Sequence, residues 1–144
     1  MLLFQYIFKM KRVVVTGANK GIGLAIVKRI LKEYPDVYVY LGSRDCGRGK
    51  ASIETIISEL GASVKERLEL LELDVTSDES IKNAVESIKT TVGDDNVKLY
   101  GLVNNAGGVG GDMSGKEIVD LNMYGVRRVT EAFLPMIQDK GMSF

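Results

Sequence analysis

Three glycines near the start of the chain lie between an apolar run and an amphipathic stretch. Residues 16–23 read TGANKGIG; they follow Val13-Val14-Val15 and precede apolar residues at helical spacing. A buried strand that turns sharply into a helix directs the free N–H groups and the positive dipole end of that helix toward an anion. Glycine suits such a turn because it tolerates left-handed backbone and lets another group approach closely. The pattern predicts a phosphate-binding loop, and a glycine turn without a ligand is the alternative.

Apolar runs and amphipathic stretches alternate along the rest of the chain. Strands are predicted at residues 13–15, 37–41, 68–73 and 97–103, and helices at 22–34, 49–60, 78–88 and about 116–138. Ser77 is predicted to cap the third helix, because its side-chain oxygen suits the free N–H groups there. Four strand–helix units predict an α/β fold, a Rossmann-type doubly wound parallel sheet. The predicted sheet is truncated after the fourth strand and its following helix, which leaves the outer edge of that strand open to self-association.

The composition narrows the classes of function. The 144 residues suit one domain, and 19 basic and 19 acidic residues cancel, so neither nucleic acid nor a membrane surface is expected as a partner. There is no histidine, which removes the commonest metal ligand, and no metal site is predicted. A single cysteine, Cys46, fits a reducing compartment, and we expect a cytoplasmic protein. Residues 1–9 are apolar but too short to span a bilayer, and we interpret them as an N-terminal extension.

Charged residues after the second predicted strand bear on which dinucleotide the loop binds. In such folds an acidic residue there binds the ribose 2′-hydroxyl of NAD, and a basic residue accommodates the 2′-phosphate of NADP. Arg44 stands at this position, with Lys20 in the glycine loop, and a guanidinium suits bidentate contact with a phosphate. Asp45 keeps NAD open as the less favoured alternative, and an ordinary loop arginine paired with Asp45 is the other interpretation of Arg44. NADP is the predicted cofactor.

Three motifs in phase resemble the short-chain dehydrogenase/reductase family. They are TGANKGIG at 16–23, Asp74-Val75 after the third predicted strand, and Asn104-Asn105-Ala106-Gly107 after the fourth. Within the family, NKGIGLAIVK at 19–28 and the SRDxxRG pattern at 43–49 resemble NADPH-dependent carbonyl reductases. The resemblance covers about residues 11–140 and corresponds to the N-terminal half of such an enzyme. It implies that residues 10–144 are an incomplete NAD(P)-binding Rossmann domain.

The resemblance also implies a set of site residues. Those around the diphosphate would be Thr16, Gly17, Asn19, Lys20, Gly21, Ile22 and Gly23, with Arg44 at the 2′-phosphate, Asp74 and Val75 at the adenine, and Asn104, Ala106 and Gly107 on the ribose–nicotinamide side. Asn122 matches the helix asparagine that holds a water of the proton relay in this family, and it is the one catalytic residue predicted. On spacing alone, Asp74 equally suits a turn or a helix cap, and an exposed helix position also tolerates asparagine.

The proton donor of the family is missing from the sequence. The resemblance requires a serine and a Tyr-x-x-x-Lys pair, and none of the six tyrosines has a lysine four residues later. The chain is therefore interpreted as the cofactor-binding half of an NADPH-dependent oxidoreductase that reduces a ketone or an aldehyde. The alternative is a catalytically inactive NAD(P)-binding or interaction fragment. The expected partners are a small-molecule carbonyl substrate and a second copy of the chain, bound through the fourth strand or the last helix.

Overall fold

A five-stranded parallel sheet forms the centre of the molecule. The structure, a computed structural model, describes residues 10–143, and the extension interpreted at 1–9 lies outside them. The strands are β1 Lys11–Val15, β2 Val37–Ser43, β3 Leu68–Glu72, β4 Leu99–Val103 and β5 Ile137–Ser143, in the order β3-β2-β1-β4-β5 across the sheet. The helices are α1 Gly21–Glu33, α2 Cys46–Leu60, α3 Asp78–Val92, α4 Gly115–Val119 and α5 Gly125–Phe133.

Helices cover both faces of the sheet, which confirms the predicted α/β doubly wound architecture. The central strand shows why: Val14 and Val15 are both fully buried, and they belong to different hydrophobic clusters on opposite faces. The helix residues in these clusters include Val27, Leu31 and Ile56 from α1 and α2, and Ile81, Ile88, Val129 and Phe133 from α3 and α5. None of the helices in the described part of the chain is long and apolar enough to cross a membrane.

Side-chain caps set the starts of α2 and α3. The prediction for Ser77 is confirmed, because its hydroxyl accepts a hydrogen bond from the Ser80 N–H at 3.2 Å. The carboxylate of Asp45 likewise accepts from the Arg48 N–H at 2.9 Å, and α2 therefore begins at Cys46 rather than at residue 49. Both caps place their helices next to the ends of β2 and β3, where the predicted site residues lie.

The prediction that the sheet stops at the fourth strand is wrong, because β5 pairs with β4. The two strands are parallel, with Leu99 opposite Ile137 and Leu102 opposite Ser143, across a register shift between Leu99 and Gly101. Pairing supplies partners for backbone groups at the edge of β4. The sequence IQDKGMS lacks the β-branched alternation that signals a strand, so sequence patterning does not predict one there. The outer edge of β4 is thus covered and is not a surface for self-association.

The single long helix predicted at 116–138 is interrupted and ends earlier. A π-helical turn at Asp120–Tyr124 joins α4 to α5. α5 ends at Phe133, because Pro135 has no N–H to continue the ladder, and a 3₁₀ turn at Leu134–Met136 leads into β5. The single predicted helix is therefore replaced by four short helical pieces, and the π turn lies directly beside the candidate site.

Candidate cofactor-binding site

A cleft of about 370 Å³ opens at the carboxyl ends of the central strands. Because β1 lies between β2 and β4, the order of the strands reverses at this point. Open α/β sheets bind ligands in the crevice at such a reversal. The cleft is lined by Gly17, Asn19, Lys20, Gly21, Ile22, Arg44, Leu73, Asp74, Val75, Asn105, Ala106, Gly107 and Leu121. Of the predicted cofactor residues, Thr16, Gly23 and Asn104 do not line it.

A set of hydrogen bonds joins the end of β1 to the end of β4. The Asn105 side-chain amide donates to the carbonyl oxygens of Thr16 and Gly17, at 3.0 Å each. In return the Thr16 hydroxyl accepts from the N–H groups of Asn105 at 3.0 Å and Ala106 at 2.9 Å. Thr16 is buried, so these bonds satisfy polar groups that have little access to water. The predicted residue Thr16 thus lies beneath the cleft and holds its floor.

Glycine is needed at the three positions of the loop for different physical reasons. A Cβ on Gly17 would lie 2.7 Å from the Cα of Ala106, and Gly17 also has a φ of +60°. A Cβ on Gly23 would collide with the Asn105 amide and lie 2.7 Å from the Gly17 carbonyl oxygen. Gly21 has a φ of +56° and open space around the missing Cβ. Close packing therefore requires glycine at 17 and 23, and backbone conformation favours it at 21.

The first turn of α1 borders the cleft with its free backbone N–H groups. Lys20 precedes the helix in extended conformation, and no side chain in residues 10–143 caps it. The loop before it is tethered, since the Ala18 N–H donates to the Gly42 carbonyl at 2.8 Å and the Ser52 hydroxyl donates to the Asn19 carbonyl at 2.7 Å. An uncapped helix start beside a fixed glycine loop fits the diphosphate of a dinucleotide.

Two basic residues, Lys20 and Arg44, border the same cleft. The acidic residue that would favour NAD is engaged elsewhere: besides capping α2, the Asp45 carboxylate lies 3.5 Å from the Arg48 Nε. Among the described residues Asp45 pairs with Arg48, not with Arg44 as the alternative interpretation has it. The end of the cleft next to β2 therefore carries positive charge.

Asp74 and Val75 line the cleft after β3. One carboxylate oxygen of Asp74 accepts from the Thr76 N–H at 2.9 Å and from the Thr76 hydroxyl at 2.7 Å. Asp74 is thus a turn aspartate that also borders the cleft, and its contact with the adenine stays a prediction. Val75 packs against α5, where a Cβ on Gly125 would lie 2.9 Å from the Val75 Cγ2.

Asn122, the predicted catalytic residue, lies in the π turn and forms hydrogen bonds with the loop that follows β4. Its Oδ1 accepts from the Gly108 N–H at 2.9 Å, and its Nδ2 donates to the Gly108 carbonyl at 2.7 Å. The same Nδ2 donates to the Ile118 carbonyl at 2.8 Å. A Cβ on Gly107 would lie 2.7 Å from the Asn122 Oδ1, so the loop approaches the side chain closely. Asn122 therefore fixes the backbone at Gly107 and Gly108, and contact with a reaction water stays a prediction.

Sequence reasoning missed three residues that line the cleft, namely Leu73, Asn105 and Leu121. The neighbour Asn104, which was predicted to line the ribose–nicotinamide side, instead turns toward α5, where its amide donates to the Thr130 hydroxyl at 3.2 Å. Consecutive residues at a strand end point to opposite sides, so one of the two asparagines faces the cleft and the pairing of the strands decides which. Leu73 and Leu121 carry no signal of their own in the sequence.

Arg128 supplies the main charge contacts behind the cleft. Its Nη2 donates to Asp120 at 2.6 Å, and its Nε lies 3.6 Å from a carboxylate oxygen of Asp78. The hydrogen bond from Arg128 holds the pKa of Asp120 below its usual value. The same bond raises the pKa of Arg128, so both groups are charged at neutral pH. Arg128 thus joins the start of the π turn to the start of α3.

Comparison with known proteins decides which family this geometry belongs to. The family model for short chain dehydrogenases matches residues 11–142. The chain belongs to the short-chain dehydrogenase family. This confirms the resemblance that the motifs at 16–23 and 104–107 indicate.

The individual relatives of this chain are longer than it is. The (+)-neomenthol dehydrogenase of Arabidopsis thaliana is 36% identical over 151 residues, covering 87% of this chain and 48% of that protein. The mitochondrial D-beta-hydroxybutyrate dehydrogenase of Bos taurus is 33% identical over 135 residues, covering 89% and 38%. The crystal structure of NADPH-bound carbonyl reductase from chicken fatty liver is 29% identical, with a TM-score of 0.73, covering 89% and 52%. The chain therefore spans about half the length of the proteins it matches, or less.

Proposed function

We propose that this short-chain dehydrogenase binds NADPH in the cleft and forms the cofactor-binding part of an oxidoreductase that reduces a ketone or an aldehyde. The observation that carries the proposal is the position of Lys20 and Arg44 beside the phosphate loop, while Asp45 is engaged at the start of α2. Two cations there favour the 2′-phosphate of NADP over the 2′-hydroxyl of NAD. Similarity to the NADPH-bound carbonyl reductase supports the same cofactor.

Each part of the cleft has a task in this proposal. When bound, NADPH supplies the hydride for a carbonyl carbon. The start of α1 and the glycine loop bind the diphosphate, and Lys20 and Arg44 bind the 2′-phosphate. Asp74 and Val75 border the adenine, while Ala106 and Gly107 border the ribose and nicotinamide. Asn122 holds the loop at Gly108 and is assigned the water of the proton relay.

The two candidate functions, a carbonyl-reducing enzyme and an inactive NADP-binding fragment, differ in whether a proton can be transferred to the substrate. A positioned general acid typically contributes about 10²–10⁴-fold to the rate. No tyrosine of this sequence has a lysine four residues later. We therefore expect these 144 residues to bind NADPH and to reduce carbonyl compounds very slowly or not at all. That observation favours the second candidate, an inactive NADP-binding or interaction fragment, for the chain by itself.

Three further properties belong to the proposal. Residues 10–144 are proposed to be an incomplete NAD(P)-binding domain, and a cytoplasmic location is proposed from the single cysteine. The bovine relative is a mitochondrial protein, so fractionation of cells is needed to distinguish a cytoplasmic from a mitochondrial location.

Self-association is proposed through the last helical stretch, where Val119, Met123 and Leu134 are 45%, 65% and 59% exposed.

Titration of the full chain with NADPH and NADH tests the choice of cofactor. Loss of a charge-assisted phosphate contact in Arg44→Ala should weaken NADPH binding about tenfold to a hundredfold. NADH binding should change less than about threefold, because NADH has no 2′-phosphate. Arg29→Ala is the matched control, since Arg29 pairs with Glu33 within α1 and does not line the cleft. Equal losses for both cofactors, or the same loss in the control, would contradict the proposal.

An activity assay separates the enzyme from the fragment. The 144-residue chain is incubated with NADPH and a panel of ketones and aldehydes, and NADPH oxidation is followed by absorbance. Binding without turnover is the expected result for these residues alone. Turnover at a rate typical of enzymes, about 1 s⁻¹ or more, would show that another group donates the proton.

A further inference from the structure

Arg128 lies where three segments of the cleft meet. From α5 it reaches Asp120, the first residue of the π turn, and Asp78, the first residue of α3. Its Nη1 is buried and has no hydrogen-bond partner among the described residues. Burial of a guanidinium atom costs free energy unless the other contacts of the group compensate for it. The arrangement therefore concentrates charge contacts at one junction of the fold.

The π turn that Arg128 contacts is the least regular part of this side of the cleft. A π turn carries one residue more than an α-helical turn, so it persists where its surroundings hold it, often beside a functional site. This turn presents Leu121 to the cleft and Asn122 to Gly108. Any movement of the turn would therefore change both the wall of the cleft and the loop after β4.

The second contact of Arg128, with Asp78, reaches the start of α3. Asp78 follows directly on the turn at 74–77, whose Asp74 and Val75 line the cleft. Gly125 packs against Val75 between these two contacts. Arg128 thus spans from the π turn to the start of α3.

We propose that Arg128 is a positioning residue of the cofactor cleft. Through Asp120 and Asp78 it holds the π turn against the start of α3. Asn122 consequently keeps Gly108 in place, and the nicotinamide side of the cleft keeps its shape. The part of this inference that concerns the cofactor rests on the proposed function. The part that concerns the loop at Gly108 does not.

The neighbouring arginine, Arg127, makes an ion pair of a different kind. Arg127 also pairs with a carboxylate, Glu131, at 2.8 Å, but both side chains are more than 60% exposed and both lie in α5. An exposed pair within one helix contributes little. The Arg128 side chain is 29% exposed, its bond to Asp120 is shorter at 2.6 Å, and its longer contact to the exposed Asp78 reaches a separate segment. Arg127 therefore serves as the matched control for any variant of Arg128.

Amide hydrogen exchange at Gly108 tests the inference without a ligand. In Arg128→Gln we expect the Gly108 amide to exchange about tenfold faster, because the side chain that accepts its hydrogen bond is no longer held. Arg127→Gln should leave the rate within about twofold. Asp120→Asn should act like Arg128→Gln, and the double variant should be no faster than the faster single variant, because both changes break one interaction. An unchanged rate in Arg128→Gln, or an equal change in Arg127→Gln, would overturn the inference.

Binding of two ligands tests the consequence for the cofactor. Arg128→Gln should weaken NADPH binding about fivefold and leave 2′,5′-ADP, which lacks the nicotinamide half, within about twofold. Equal weakening of both ligands would mean that Arg128 only supports the fold, and it would overturn the inference. If the unsubstituted chain binds no NADPH, the proposed function fails, and the exchange rates at Gly108 still decide the role of Arg128.

Discussion

The two walls of the cleft are held together in different ways. The glycine wall, residues 16–23 with 104–107, is joined by hydrogen bonds of Thr16 and Gly17 to Asn105 and Ala106. The helix wall, residues 74–78 with 115–128, is joined by the ion pair of Arg128 with Asp78 and by the packing of Gly125 on Val75, and the exposed Asn122 side chain links it to Gly108. Hydrogen bonds of buried groups are costly to break, whereas partly exposed pairs contribute less. The difference indicates a rigid wall at the glycine loop and a more adjustable wall opposite it.

The largest effect is expected from a methyl group placed inside the glycine wall. Gly23→Ala should lower the free energy of unfolding by about 3 kcal/mol, at the upper end for overpacking, because the new Cβ would meet backbone atoms that do not yield easily. Gly108→Ala is the control, since no atom lies within 4 Å of that Cβ position. Urea unfolding followed by circular dichroism measures both. Equal stability of the two variants would contradict the rigid packing of this wall.

An intermediate effect is expected from the asparagine that joins β1 to β4. Asn105→Ala removes two donated hydrogen bonds and leaves the carbonyls of Thr16 and Gly17 short of a partner, which should cost about 2 kcal/mol. Asn104→Ala removes one bond to Thr130 and should cost about 1 kcal/mol or less. Thermal or urea unfolding of the pair measures the difference. A larger loss in the Asn104 variant would reverse our assignment of the two residues.

The smallest effect on stability is expected on the outside of the helix wall. Met123 is 65% exposed, so Met123→Gln should change the free energy of unfolding by less than about 0.5 kcal/mol. Any self-association of the chain should weaken at the same time, because an exposed apolar side chain is lost. Sedimentation velocity over a range of concentrations measures association. If the variant associates as the unsubstituted chain does, the last helical stretch is not the contact surface.

The glycine wall could be predicted from the sequence because its constraints are local and specific to residue type. A turn that needs left-handed backbone or bare Cα atoms admits few residues, so Gly17, Gly21 and Gly23 are informative in themselves. The apolar runs of β1 to β4 are informative for the same reason, since burial on both faces requires them. What the sequence could not distinguish was Asn104 from Asn105. Their directions depend on the register that sets Val15 opposite Val103.

The helix wall was less predictable because its form depends on contacts between distant segments. Residues 116–138 carry a helical period, but nothing local marks a π turn, which depends on packing at Gly125 and on Arg128. β5 was missed because pairing with β4, and not residue preference, makes IQDKGMS a strand. Pro135 was a readable sign that the helix ends before residue 138.

The hydrogen bond between Thr16 and Asn105 also affects the order in which the chain can fold during synthesis. The two residues are 89 positions apart in the sequence. A ribosome that adds about 5–20 residues per second needs about 4–18 seconds to make the intervening chain. Until β4 is made, β1 can pair only with β2 on one side and has no neighbour on the other, although it becomes the centre of the sheet. The nascent chain is therefore most open to misassembly before residue 106 emerges, and a nucleotide can stabilise it only after that point.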